Sequence, residues 1–282
     1  MTVGAHVYNT SINGIRFDVW EHSARGRHIE VEVDPASGRR RRVAIGGGAR
    51  LSRGAENLLT AIYPGPGGSS WIARAKDHLS TSTATLTVRC ITAEIADEDV
   101  YVAQHVDTKN TGIAGAPARL PKEYALIGGG AQLYFEKPNP PYPGSLMLYS
   151  WQVARSGRPT TGWSRPRIVV STYAIGLSRD LLKRKGLQVI RSVSSGSGPA
   201  AAYPANHCTM KQRFPYRRGC VTGGGAQPFI GSGNNLNSFL TASWPTTPTE
   251  DIGWGWAAAS KDHGGVSSPG WINACAFAVV WP

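Results

Sequence analysis

Acidic side chains are scarce in this chain: among 282 residues, 18 Asp and Glu stand against 30 Lys and Arg, giving a formal net charge of +12 and a pI near 9.8. So few carboxylates leave little material for paired acid–base catalysis. Other catalytic signatures are missing too, with no His-Glu-x-x-His pair, no Gly-x-Ser-x-Gly elbow and no cysteine–histidine metal spacing. The sequence therefore reads as a binding protein rather than an enzyme, with no cofactor or metal, although Asp77 with His78 has the donors to contribute to a cation site. Long apolar runs are also lacking. No segment approaches the length of a membrane span and no signal-peptide core follows Met1, so the expectation is a soluble protein, secreted or released without a recognisable signal. Cysteine is sparse, and Cys208 with Cys220 and Cys90 with Cys275 are conceivable partners; two disulfides and four buried thiols both remain open.

Glycine and proline, in contrast, are plentiful at 34 and 19 residues. With short apolar runs at turn-like spacing they argue for an all-β chain and leave one helical candidate, Leu177 to Lys185. A block of three glycines and an alanine occurs three times, at Gly46 to Ala49, Gly128 to Ala131 and Gly223 to Ala226. Downstream of the first come Leu58, Leu59, Thr60, Ala61, Tyr63 and Pro64, and of the third Phe239, Leu240, Thr241, Ala242, Trp244 and Pro245. The middle copy keeps only Tyr142 and Pro143. A tryptophan follows in each (Trp71, Trp151, and Trp254 or Trp256), then an alanine-containing stretch and an apolar closing strand at Leu86 to Ile95, Ile168 to Leu177 and Trp271 to Trp281. Three repeats result, 1–97, 98–186 and 187–282, each too small to hold a good core alone but sufficient together as a single domain. The first has an extra strand-like stretch, His28 to Asp34, whose Ile29, Val31 and Val33 alternate with polar residues.

Three consecutive glycines in a strand let another backbone or a ring approach closely. Their threefold recurrence predicts strands meeting near a pseudo-threefold axis. A phosphate-cradling loop would need a helix to follow, and Arg50, Gln132 and Gln227 follow instead. The best polar candidate is a tripeptide shared by two copies, Lys76-Asp77-His78 and Lys261-Asp262-His263. A carboxylate beside an aromatic ring suits a sugar, the oxygens accepting hydroxyls and the ring covering the apolar face, and Tyr63 and Trp244 are the companion aromatics. Equally, these aspartates satisfy backbone amides at a turn and the histidines cap the strand. The recurring tryptophans suit core packing, whereas Trp244 and Trp256 sit nearer turn-rich segments.

Positive charge gathers ahead of the glycine blocks, at Arg39, Arg40, Arg41 and Arg42, at Arg119 and Lys122, and at Lys211, Arg213, Arg217 and Arg218. It favours acidic partners such as anionic lipid, acidic glycans or, less readily, nucleic acid, and it also serves simply to solvate a glycine-rich β protein. The combined pattern resembles the β-tripod or β-prism-like targeting domains attached to some bacterial perforin-type insecticidal toxins. The glycine block with Leu-Thr-Ala-x-Tyr/Trp-Pro, a tryptophan and Lys-Asp-His carries that resemblance. It implies three internal repeats forming one pseudo-threefold, prism-like body of antiparallel sheets that binds a cell surface, with a toxin chain as a possible partner and no pore formed by this chain itself. The function expected is that of a lectin-like module recognising glycans or glycolipids through repeated weak sites. The alternatives are an electrostatic binder of anionic membrane or nucleic acid, and a hydrolase using Asp77 or Asp262.

Overall fold

The computed structural model describes residues 4–35, 42–52, 57–77, 81–109, 113–114, 118–134, 161–162, 168–197, 208–213, 219–230, 238–250, 253–262 and 270–282. The chain is all-β. In order the strands are β1 (Ala5–Ile12), β2 (Ile15–Gly26), β3 (His28–Val33), β4 (Val43–Leu51), β5 (Leu58–Pro64), β6 (Trp71–Lys76), β7 (Ala84–Ala93), β8 (Val100–Lys109) and β9 (Ile113–Ala114). They continue as β10 (Tyr124–Tyr134), β11 (Thr161–Gly162), β12 (Ile168–Ser178), β13 (Gln188–Ser197), β14 (Cys208–Arg213), β15 (Gly219–Ile230), β16 (Ser238–Thr246), β17 (Gly255–Asp262) and β18 (Gly270–Val280). The alternation read at residues 28–34 is β3, where Ile29, Val31 and Val33 are buried between more exposed neighbours.

The helical candidate is α1 (Arg179–Arg184), shorter than the sequence suggested. Leu177 and Ser178 stay in β12, and the Ser178 hydroxyl accepts the Leu181 N–H at 3.3 Å, so the serine ends the strand and caps the helix in one step. Asp180 in the first turn and Lys183 and Arg184 in the last complement the helix dipole.

Among the described residues all strand pairings are antiparallel. A seven-stranded sheet runs β1-β2-β7-β4-β16-β17-β14, a six-stranded sheet β3-β6-β5-β10-β12-β8, and a three-stranded sheet β13-β18-β15, with a small pair β11-β9. Three ladders share one plan: β2-β7-β4, β8-β12-β10 and β13-β18-β15 each place a glycine-block strand on one side of a closing strand. The ladders then cross between distant parts of the chain. Strand β4 continues the sheet onto β16, almost two hundred residues later, and β10 continues it onto β5, far earlier.

The glycines explain how these strands come so close. In each ladder the register slips at the first glycine, between Ala44 and Gly46, Leu126 and Gly128, and Val221 and Gly223. A Cβ on Gly46 would lie 1.6 Å from the Thr222 carbonyl oxygen, one on Gly128 3.0 Å from that of Ile45, and one on Gly223 2.5 Å from that of Ile127. Each first glycine thus faces the residue preceding a different glycine block, and the three contacts close into a cycle. The Thr222 hydroxyl adds a bond to the Ile127 carbonyl at 2.9 Å. The middle glycines make room for rings. An added Cβ would sit 2.6 Å from Trp71 at Gly47 and 2.2 Å from Trp256 at Gly224. Of the two tryptophans left open in the last copy, Trp256 is therefore the counterpart of Trp71. Both are fully buried, so Trp256, like Trp244, is a core residue and not a loop-tip aromatic.

The cysteine alternatives also resolve in part. Cys90, Cys220 and Cys275 are free and buried, and neither conceivable disulfide forms. The side chain of Cys208 lies outside the described residues. Burial pushes the Cys90 and Cys220 thiols well above their ordinary range, and that of Cys275 upward against the opposing Arg191.

Candidate functional site

An open cleft of about 430 Å³ lies on one face of four adjacent strands, β7, β4, β16 and β17. Period-two alternation puts Thr85, Thr87 and Arg89 of β7 on a common side, with Arg50 and Ser52 of β4 and its extension, Ala242 and Trp244 of β16, and Ala257 and Ala259 of β17. The register agrees: Arg50 pairs with Thr87 and with Ala242, Ala242 with Ala259, and Trp244 with Ala257. Three alanines on neighbouring strands make the hollow, because no side chain there rises beyond a methyl group. Hydroxyls of Ser52, Thr85, Thr87 and Thr241 line it, and the exposed Arg50 supplies the cation at its edge.

On the same side of the sheet lies a charge network. Arg89, only 5% exposed in its side chain, donates from Nε to Glu21 at 2.9 Å and from Nη1 to Glu250 at 2.7 Å and to the Pro245 carbonyl at 2.8 Å. Glu250 also accepts the Thr247 N–H at 2.6 Å, closing the turn after β16. Burial opposes ionisation of Glu250, but the Arg89 and Thr247 hydrogen bonds with the Arg89 and Arg50 charges outweigh it and hold its carboxyl below the usual range. The guanidinium carbons of Arg89 and Arg50 stand 4.2 and 4.4 Å from the Trp244 ring centroid. Trp244 is 2% exposed and its Nε1 has no hydrogen-bond partner. This expected sugar platform is therefore covered by arginine, and a ligand in the cleft would meet Arg50 before it met the indole.

The Lys-Asp-His motif occupies a different place. Asp77 follows β6 and is buried, ion-paired with Arg27 and with His28 at 3.1 Å, while its own N–H bonds the Arg27 carbonyl at 3.3 Å. That carboxylate ties the start of β3 to the end of β6, which fits the turn-stabilising role rather than an open sugar acceptor. Lys76 has its ammonium pKa lowered by burial, against the raising effect of Asp77. Lys261 is buried at 4% exposure on β17. His78 and His263 lie outside the described residues, as does the side chain of Asp262.

Of the basic clusters, Arg119 and Lys122 are described and exposed, whereas Arg42 is engaged inward: it pairs with Asp18 at 3.5 Å and Glu94 at 3.7 Å and lies 5.1 Å from the Trp20 ring centroid. It is no free surface cation. Arg39, Arg40, Arg41, Arg217 and Arg218 fall outside the described residues, and of Lys211 and Arg213 only the β14 backbone is described.

Tyr63 belongs to a face equivalent to the cleft, on β12, β10, β5 and β6. There Gln132 stands in the position of Arg50, Tyr63 in that of Trp244, and Tyr173 in that of Arg89. Tyr63 and Tyr173 stack at 5.5 Å, and Gln132 donates to the Tyr63 hydroxyl at 3.2 Å. Arg74 and Ile72 occupy the positions of Ala259 and Ala257 and fill the hollow, Arg74 lying 5.8 Å from the Tyr63 ring centroid and pairing with Glu30.

Sequence reasoning passed over Arg50, Arg89 and Glu250. A charged residue inside the apolar closing strand was the available signal for Arg89, and Arg50 directly follows the first glycine block. Among the described residues no group of three His, Cys, Asp or Glu forms a metal site, and no helix is long and apolar enough to cross a membrane. Fold and face together define an all-β protein with a hydroxyl-rich, cation-edged cleft. No protein-family model matches the chain, and no curated protein matches it.

Proposed function

We propose that this chain is a non-enzymatic, lectin-like surface-binding protein whose principal ligand site is the cleft at Arg50. The observation that carries the reading is the lining of that cleft: four hydroxyls and one exposed guanidinium around a floor of alanines. Such a surface offers donors and acceptors in many directions together with a flat apolar patch, which is what the alternating hydroxyls and C–H faces of a sugar ring require. Arg50 favours glycans that carry a carboxylate or sulfate near the bound ring. The cycle of glycine contacts supports the three-repeat, prism-like body, and with it a role in targeting a partner, such as a toxin chain, to a cell surface.

The first Lys-Asp-His site drops out of this reading, because Asp77 is already committed to Arg27 and His28. The test is a broad glycan array at physiological salt with the intact chain and with Arg50→Ala. Selective binding that Arg50→Ala abolishes supports the cleft. Binding unchanged in that variant, or lost instead only when Asp77 and Asp262 are both changed to Ala, overturns it. An electrostatic binder of membrane or nucleic acid would lose affinity steeply as salt rises, whereas a sugar held by hydroxyl contacts would lose far less.

A further inference from the structure

A second hollow, of about 480 Å³, lies on the other two ladders, between α1 with the start of β10 on one side and β13 with β18 on the other. Its lining divides by chemistry. Leu126, Val189 and Phe277 form an apolar floor, and Arg179, Lys183 and Arg191 supply three cations from two different elements, while no carboxylate lines it. Of the acids nearby, Asp180 and Asp99 both pair with Arg184, at 2.7 and 3.4 Å. Hydrogen bonds fix two of the three guanidinium or ammonium groups in place. Arg179 donates from Nε to the Lys122 carbonyl at 3.0 Å, and Arg191 donates from Nε to the Cys275 sulfur at 3.3 Å. Their charge is thus held at the rim of an apolar hollow of ligand size, and the ordering cost of binding an anion is reduced in advance.

We infer that this hollow binds a single-chain lipid with an anionic head, the tail lying on Leu126, Val189 and Phe277 and the head meeting Arg179, Lys183 and Arg191. A hollow of this volume suits one alkyl chain, because the cations line it together with the apolar residues. The site is separate from the Arg50 cleft and does not depend on it.

The experiment is a calorimetric titration of the intact chain with sodium laurate below its micelle concentration. Dodecyl maltoside serves as the same tail with an uncharged head, and butyrate as the same head without the tail. The expected result is saturable one-to-one binding of laurate, with neither control binding. Lys183→Gln, at an exposed helix end, and Arg191→Gln should each weaken laurate about tenfold, the loss of one charge-assisted contact. Leu126→Gln should weaken it through the tail. Equal binding of dodecyl maltoside, laurate affinity unchanged in both cation variants, or binding to phosphatidylserine vesicles without any for laurate would each overturn the assignment. Arg50→Ala should leave laurate binding intact, so a failure of the glycan reading and a failure here are read separately.

Discussion

The face around Trp244 and the face around Tyr63 have the same backbone and opposite chemistry. In both, a glycine-block strand joins a hairpin from a distant part of the chain, with Ala49 opposite Ser243 in one and Ala131 opposite Ile62 in the other. On the first, Arg89 joins Glu21 and Glu250 in a charged network beside an open cleft edged by Arg50. On the second, the corresponding Gln132, Tyr173 and Gln104 make a neutral one, with Gln104 donating to the Tyr173 hydroxyl at 3.2 Å where Arg89 meets Glu21. The glycines determine where the strands go, and the side chains that stand on them are exchanged wholesale. Alanines at 257 and 259 leave the first face hollow, whereas Ile72 and Arg74 close the second.

The largest effect should be common to both faces, because the scaffold is. Gly48→Ala and Gly130→Ala each bring a Cβ within 2.3 Å of a carbonyl oxygen, of Ser243 and Ile62 respectively. Each should cost more than about 3 kcal/mol in denaturant unfolding. If one were tolerated and the other not, the two junctions would not be equivalent.

The faces should separate at the next level. Arg89→Ala leaves Glu21 and Glu250 without their partner and should cost about 3 kcal/mol. Tyr173→Phe, at the matching position, removes only neutral bonds and should cost about 1 kcal/mol. Asp77→Ala is a further structural variant, expected to lose about 2 kcal/mol through its charge-assisted bonds, and its melting temperature should fall while cleft binding persists.

Acid titration distinguishes the faces more gently. The Glu250 carboxyl is held below its ordinary value of 4.5, so the folded state releases that proton more readily than the unfolded chain. Its contribution is therefore complete above the ordinary glutamate range and is lost as pH falls through the lowered value. Glu250→Gln should remove this component from a stability profile measured from pH 6 to pH 3, while Gln132→Glu in the neutral face should not restore it. The smallest effect on stability belongs to Arg74→Ala, which deletes a partly exposed pair with Glu30 and should change the unfolding free energy by less than about 1 kcal/mol.

The fold was legible where it depends on backbone periodicity. Glycine triplets followed by arginine or glutamine rather than a helix point to strands in close approach, and the alternation of Ile29, Val31 and Val33 marks a half-buried strand. The site was less legible, because a cleft made by absence leaves no motif. Ala257 and Ala259 are noticeable as repeat markers in the sequence, and only the register with Ala242 shows that together they open a hollow. Lys-Asp-His was the more visible pattern, yet the partners that occupy Asp77 are Arg27 and His28, about fifty residues earlier. The pairing of β3 with β6 brings them together, which spacing along the chain does not reveal.

The most direct test fills the hollow. Ala259→Arg gives the Trp244 face the residue that closes its counterpart, on the half-buried, cleft-facing side of β17 where the hollow leaves it room. Affinity for the best glycan-array ligand, measured for the native chain, Ala259→Arg and Arg50→Ala at equal melting temperature, should fall at least tenfold in both variants. Full affinity in Ala259→Arg would place the ligand elsewhere and contradict the assignment of function to this cleft.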